Sequence, residues 1–243
     1  MGTGGIPAAA SAGFIMTERI ACMLALASPC DVLADVGCDH GQIGLGFLKE
    51  GLCKKALMID ISEPSLNKAR RLFREEGYEA QAHFLVGDGL LPAGEAQGAV
   101  IAGMGGKLIV RLLENAWAQA RTKEYLVLQP NNSIGLVRGY LAEHGFVIRD
   151  EALCFENGRH YAIIRAEAGE SPRLSALEQE LGPVNLQKRP SLLASYARHR
   201  LKVHESILYT MEQGEIRGEA YGFSQGMVRS IQHYLEEAED EGI

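Results

Sequence analysis

Residues 33–44 read "LADVGCDHGQIG". A strand-like apolar run passes through Gly37 into the opening of a helix, and Gly37 and Gly41 bracket the bend. Bends of this kind, following a buried strand, cradle nucleotide-like ligands in many α/β folds. Here Asp39 and His40 stand at the apex, where a dinucleotide fingerprint calls for glycine and a neutral spacer. The ligand of this turn is therefore the question on which the fold and the function both hang.

Outward from the turn, strand-like runs recur at 31–37, 55–60, 82–88, 98–104 and 124–130. Helical stretches separate them at 42–50, 63–76, 106–121 and 134–144. That alternation predicts a parallel sheet covered by helices on both faces. Asn157-Gly158 then divides two further apolar runs, a hairpin signal that predicts an antiparallel finish. Five parallel strands plus a hairpin depart from the six-parallel-strand dinucleotide fold. They match the α/β, seven-stranded sheet of S-adenosylmethionine-dependent methyltransferases. "AEAGESPR" (166–173) reads as a linker, dividing a sheet domain (1–168) from a helical domain (169–243). In the second domain Leu193, Ala197, Leu201, His204, Leu208 and Met211 form one helical stripe. Phe223, Met227, Ile231 and Leu235 form another, which predicts an antiparallel helical hairpin.

The chain has 243 residues, 47% of them hydrophobic and 23% charged, the balance of a soluble globular protein. No apolar run approaches the roughly 20 residues that span a bilayer. The opening "MGTGGIPAAASAGFIM" precedes the first basic residue, Arg19, which argues against a secretion signal and for a cytoplasmic protein without a membrane partner. Five scattered cysteines lack C-x-x-C or zinc spacing, so reduced thiols and no metal are expected. Net charge is −7, unevenly spread. Residues 205–243 alone carry −7 and residues 173–204 carry +4, a local basic element that can meet phosphate despite the overall sign.

The acidic turn has a chemical consequence. A helix N-terminus after a strand favours anions, yet Asp39 would repel a pyrophosphate. S-adenosylmethionine has no phosphate and brings an ammonium and a sulfonium, which an acid suits; the alternative is that Asp39 only caps the helix. Asp60 closes the second strand, where a carboxylate accepts from ribose hydroxyls or caps the next helix. Asp88, in "VGDGL" (86–90), can accept from an adenine amine. Gly103, Gly105 and Gly106 strip side chains from the end of the fourth strand. Gln129, Pro130 and Asn131 place an amide, a ring and a second amide at the end of the fifth, able to sandwich a base. The basic run 188–202 offers Lys188, Arg189, Arg198, Arg200 and Lys202 to RNA phosphates, or forms a solvated helix face.

Together "LADVGCDHG", "GDGL", "VIAGMGG", "LQPN" and "LGPVNLQKRP" resemble the bacterial tRNA (adenine-22-N1) methyltransferase family. The resemblance implies a Rossmann-like class I methyltransferase domain, a C-terminal helical coiled-coil domain, S-adenosylmethionine as donor and tRNA as partner. It implies a cofactor site of Asp35, Gly37, Asp39, His40, Asp60, Asp88, Gly89 and Gly103. It places Met104, Gly105, Gly106, Gln129, Pro130 and Asn131 against the target adenine. "DHGQIG" lacks the aromatic and proline frequent in the family, and Asp60 stands where Glu is common.

Adenine N1 keeps an in-plane lone pair, so positioning and charge stabilisation matter more than a base. Asp39, with His40, is the expected source of that stabilisation. N1 lies on the pairing edge, so the adenine must be unpaired or flipped out to react. Three rivals stand: an NAD(P)-dependent oxidoreductase, disfavoured by the missing middle glycine; a methyltransferase with a different substrate; and a non-catalytic S-adenosylmethionine- or RNA-binding protein. The oligomeric state stays open between monomer and homodimer.

Overall fold

In the computed structural model, which describes residues 13–240, Thr17 opens the first element. Its hydroxyl accepts from the Ile20 N–H and caps α1 (Glu18–Ala25). The chain continues through β1 (Cys30–Val36), α2 (Gln42–Lys49), β2 (Cys53–Asp60), α3 (Glu63–Glu75) and β3 (Ala82–Val86). Next come β4 (Gly98–Met104), α4 (Gly106–Asn115), α5 (Trp117–Arg121), β5 (Tyr125–Pro130) and α6 (Ile134–Glu143). A long hairpin of β6 (Phe146–Glu156) and β7 (Arg159–Ala168) follows. Four helices close the chain: α7 (Ala176–Leu181), α8 (Pro183–Lys188), α9 (Leu193–Gln213) and α10 (Glu219–Asp240). The N-terminal stretch through residue 12 and the outer limits of both predicted domains lie outside the described residues.

The seven strands form one sheet in the order β3-β2-β1-β4-β5-β7-β6. β1 to β5 run parallel, and β7 is antiparallel to both β5 and β6. This is the Rossmann-like methyltransferase sheet that the alternation and the Asn157-Gly158 turn predict. Alternate strand residues feed two cores. Ala34, Leu57, Ile101 and Leu128 pack with α4, α6 and the C-terminal helices, while Leu33, Met58, Val100 and Val127 pack with α1, α2 and α3.

Four local expectations are corrected. The helix expected over 106–121 breaks at Ala116 (φ −124°, ψ 34°), and the next residue's indole, Trp117, donates to the His144 carbonyl at 3.0 Å. α1 was not anticipated, although Thr17-Glu18 ahead of Ile20, Met23 and Leu24 is a capped amphipathic turn. Nor were α7 and α8, although Ser175 and Glu178 form a capping box. Phe223, expected on the buried stripe, is 54% exposed because it lies near the distal end of the hairpin.

The C-terminal helices are seated on the sheet. Leu193, Tyr196 and Ala197 of α9 and Met227, Ile231 and Leu235 of α10 belong to the same core as the strands. A buried polar network fastens them. Arg138 of α6 donates from Nε to Glu151 Oε1 of β6 at 2.7 Å, and both side chains are fully buried. Arg138 Nη1 also donates to the Gln179 and Glu180 carbonyls at 2.8 Å, and Glu151 Oε2 accepts from the Val184 and Asn185 amides. Gly182 (φ +102°) lets the chain pass there, since a Cβ would stand 2.4 Å from Glu151 Oε2. The Glu180 carboxylate then takes Arg200 (2.5 Å) and His204 (3.1 Å) of α9. Burial would raise that carboxyl, but His204 and Arg200 outweigh it and hold it below the usual range.

Removing one partner of a buried pair strands the other charge, which costs about 3–5 kcal/mol. Glu151→Ala should therefore lower the urea-unfolding free energy by about that amount, whereas Lys54→Ala, which breaks an exposed pair with Asp31, should leave it nearly unchanged. Equal effects in urea titrations would show that the buried network contributes little.

Candidate active site at the carboxyl edge of the sheet

The turn after β1 is built from left-handed backbone. Gly37 (φ 70°), Asp39 (φ 41°) and Gly41 (φ 75°) alternate with ordinary residues. Gly41 has a second reason to lack a side chain: a Cβ would sit 2.9 Å from Ala69 Cβ of α3. The Gly37 amide donates to the Ile59 carbonyl at 2.7 Å, tying the turn to the end of β2. Asp60 reinforces the tie, as Oδ2 accepts from the Asp39 amide (3.1 Å) and Oδ1 from the Ser62 amide (2.9 Å). Asp60 thus shapes the turn and keeps lone pairs for a further donor. Asp39 itself is exposed, 3.5 Å from Lys68 Nζ and 3.4 Å from His40 Nε2. Asp35, expected in the cofactor site, lies beneath it instead. It is 1% exposed, and its Oδ2 accepts from the Gly44 amide at 2.8 Å.

A cavity of about 390 Å³ opens between the ends of β1 and β4. Strand order reverses there, which is where open α/β sheets bind ligands. Gly37, Asp39, His40 and Gly103 line it with Thr17, Arg19 and Gln42. A cavity of similar size at the opposite edge, lined by Pro29, Asp31, Lys54 and Glu124, has no such turn. Sequence reasoning missed Arg19. Its Nη1 reaches Gln129 Oε1 at 3.3 Å and its guanidinium lies 5.1 Å from the Tyr161 ring centroid, yet its buried Nε has no partner. The one available signal was an arginine in the first turn of a Thr17-capped helix.

The residues expected against a base divide into two groups. Asn131 is exposed, and its Nδ2 donates to the Gly103 carbonyl at 2.7 Å. Gly103 (φ 74°) has open space where a Cβ would be. Gln129, by contrast, is fully buried. Its Oε1 accepts from the Gly103 amide and Arg19, and its Nε2 donates to Asn131 Oδ1. It therefore holds the edge from behind, and Pro130 is buried beside it. Gly106 admits the backbone of Asn132 and Ser133, whose carbonyls would be 2.7 and 2.6 Å from a Cβ. Gly105 lies against the Asn132 side chain, 3.2 Å from Oδ1 by the same measure, and the Met104 methyl rests over Gly37.

Asp88 stands exposed after β3, with no hydrogen-bond partner among the described residues. Gly89 (φ 61°) is buried against Leu112. In the basic run, Lys188 pairs with Asp150 (2.5 Å) and Arg198 with Glu239 (3.1 Å), both exposed. Arg189 ends α8 in left-handed backbone. Arg200 is largely buried on Glu180, which removes it from the free phosphate-binding set, and exposed Lys202 has no ion-pair partner among the described residues. Among these residues no helix is long and apolar enough to cross a membrane.

Comparison with known proteins adds to this geometry. Residues 16–164 match the family described as "Methyltransferase domain". The tRNA (adenine(22)-N(1))-methyltransferase of Bacillus subtilis (strain 168) is 33% identical over 141 residues, 57% of this chain and 59% of that enzyme. The match thus spans about three-fifths of the Bacillus protein's length. A Streptococcus agalactiae protein of the NADB-Rossmann superfamily superposes with a TM-score of 0.81 at 24% identity, covering 92% of this chain and 98% of that one. A Streptococcus pneumoniae protein solved in complex with S-adenosyl-L-methionine gives a TM-score of 0.79 at 26% identity, covering 91% of this chain and 100% of that one.

Burial pushes the Asp35 carboxyl up to about 7, against the Gly44 hydrogen bond and with added repulsion from Asp60. The folded chain binds that proton more tightly than the unfolded chain, whose carboxyl titrates near 3.9. Stability is therefore lost as pH rises from about 4 to about 7. Asp35→Asn removes this loss. Its melting temperature should exceed the parent's by several degrees at pH 8, with the gap closing toward pH 4.5; a gap independent of pH would assign Asp35 no such role.

Proposed function

Because this chain belongs to the methyltransferase-domain family, we propose that it transfers a methyl group from S-adenosylmethionine to N1 of an adenine in tRNA, at position 22 by similarity to the Bacillus subtilis enzyme. The observation that carries this reading is the composition of the switch-point cavity. It holds an acidic turn and a buried guanidinium Nε without a partner, and no phosphate cradle. The amino-acid end of S-adenosylmethionine carries an ammonium and a carboxylate, so a site for it needs both an acid and a cation. Asp39 and Arg19 supply them, and the residues present fit the group.

When bound, S-adenosylmethionine supplies an electrophilic methyl carbon on its sulfonium. The chain's own residues do the rest. Asp60 accepts from ribose hydroxyls with the lone pairs that the Asp39 and Ser62 amides leave free, and Asp88 accepts from the adenine amine of the donor. Arg19 and Asp39 fix the charged end. Gly103 keeps the floor at the end of β4 clear, and Asn131, held by Gln129, offers an amide to the edge of the target base. No residue has to remove a proton from N1. Asp39, with His40 beside it, counters the positive charge that develops on the base. The second domain, 169–243, grips the tRNA body through Lys188, Arg189, Arg198 and Lys202. Since α7, α8, α9 and α10 all carry residues seated in the sheet's core, charge-removing substitutions at these four positions, and not a truncation, test this grip.

Incubating the protein with labelled S-adenosylmethionine and unmodified tRNA, followed by nucleoside digestion, should place the label in 1-methyladenosine. Label in another nucleoside would overturn the base reading, and bound donor with no transfer would favour the non-catalytic alternative. For the donor site, Arg19→Ala and Asp39→Asn should each raise the calorimetric Kd for S-adenosylmethionine by roughly tenfold, as losing a charge-assisted hydrogen bond implies. Asn is well tolerated at φ 41°, so the second variant isolates charge from backbone shape. An unchanged Kd in both would move the donor out of this cavity.

A further inference from the structure

The β6–β7 hairpin reaches past the catalytic edge. Its register pairs Leu128 with Ile164, so β7, which begins at Arg159, projects beyond the end of β5 at Pro130. The hairpin's two faces differ. On one, Tyr161 meets Arg19 of the donor cavity. On the other, Phe155 and His160 are cross-strand partners, with ring centroids 4.7 Å apart. His160 lies 5.3 Å from His199 of α9 at an interplanar angle of 27°, a stacked pair, and 6.0 Å from Tyr196. Phe155 is 49% exposed and His199 is also exposed. A narrow cleft of about 60 Å³, whose lining includes Pro130, Asn131, His160 and His199, joins this row of rings to the Asn131 edge.

The chemistry of the row is that of a flat, uncharged surface. The Ser195 hydroxyl donates to the Leu192 carbonyl at 2.9 Å, so its oxygen accepts from His160 Nε2 at 3.1 Å. That bond orients the His160 ring and fixes its proton on Nε2. Burial and the His199 charge hold His160 below the ordinary imidazole range, and burial with Arg200 and Lys202 does the same to His199. Two stacked imidazolium rings would repel one another, whereas two neutral rings offer π-faces. One turn along α9, Lys202 lies on the same helical face as His199 and Ser195, by their spacings of three and four.

We propose that Phe155, His160 and His199 form a stacking platform for a nucleotide flanking the target adenine, with Lys202 meeting its phosphate. This rests on the tRNA reading above. Flipping one base out of a stack leaves its neighbours without a face to cover. Proteins that read unpaired RNA stack such bases on aromatic or imidazole rings. The platform begins where Asn131 ends, so a strand that presents its adenine to Asn131 lays the next nucleotide on the rings.

The test compares the parent protein with His199→Ala, with His160→Ala/His199→Ala, and with His160→Phe/His199→Phe, in methyl transfer to unmodified tRNA. The double alanine variant should raise KM for tRNA by roughly tenfold, as loss of base stacking implies, with kcat and the Kd for S-adenosylmethionine unchanged. His199→Ala, which touches an exposed ring only, should give part of that rise without altering the melting temperature. The phenylalanine variant should retain the parent KM. An unchanged KM in both alanine variants would overturn the platform, and so would a phenylalanine variant as weak as the double alanine. A parent protein that forms no 1-methyladenosine would instead remove the tRNA reading, and the platform with it.

Discussion

The fully buried pair of Arg138 and Glu151 joins four parts of the molecule: α6, β6, α7 and α8. α6 and β6 contribute the charges, and the backbone of α7 and α8 bonds to Arg138 Nη1 and Glu151 Oε2. A buried charge is tolerated only when it is both paired and hydrogen-bonded, and here neighbouring peptide groups supply four of the bonds. The consequence is a fixed seat for the C-terminal helices. Glu180 extends the network to Arg200 and His204, so the orientation of α9 relative to the sheet is set by directional bonds as well as by Leu193, Tyr196 and Ala197. Tyr196 and His199 gain their positions beside the hairpin from that seat.

At the carboxyl edge a second buried group plays a similar part on a smaller scale. Gln129 uses its amide to join α1 through Arg19, β4 through the Gly103 amide, and the β5 turn through Asn131. α1, β4 and the end of β5 are therefore coupled through one side chain. The left-handed turn at 37–41 adds the acidic wall, and Asp60 fixes its shape by accepting from the Asp39 amide. Preorganisation of this kind suits a transfer reaction in which no residue needs to take a proton. The barrier falls when the partners are held in line and the developing charge meets a carboxylate already in place.

The electrostatics of the appended helices temper the simple picture of a basic arm. Of the cations between 188 and 202, Arg200 is spent on the buried network, while Lys188 and Arg198 rest in exposed pairs with Asp150 and Glu239. Exposed pairs are weak and exchange readily for a phosphate. The partner of Arg198, Glu239, comes from the acidic α10.

Sequence alone determined the layering and the tight turn after β1, because both are local. Alternating periodicities set the five parallel strands, Asn157-Gly158 set the antiparallel finish, and Gly37 and Gly41 announced a tight turn, whose left-handed Asp39 only the structure shows. α1 and α7 were equally local, with Thr17 and the Ser175–Glu178 box as caps, and went unread because each helix is short. What tertiary structure decided was the use of each polar group. Gln129 and Asn131 are one residue apart on a strand end, and only the approach of β4 and α1 makes the first a buried brace and the second an exposed contact. Gly103 and Gly106 are alike in sequence, yet one faces open space and the other a neighbouring backbone. Arg19 and His160 carried no motif; contacts distant in the chain place both beside the site. Side-chain chemistry is legible residue by residue, but whether a group meets solvent, ligand or protein depends on long-range packing that no local pattern encodes.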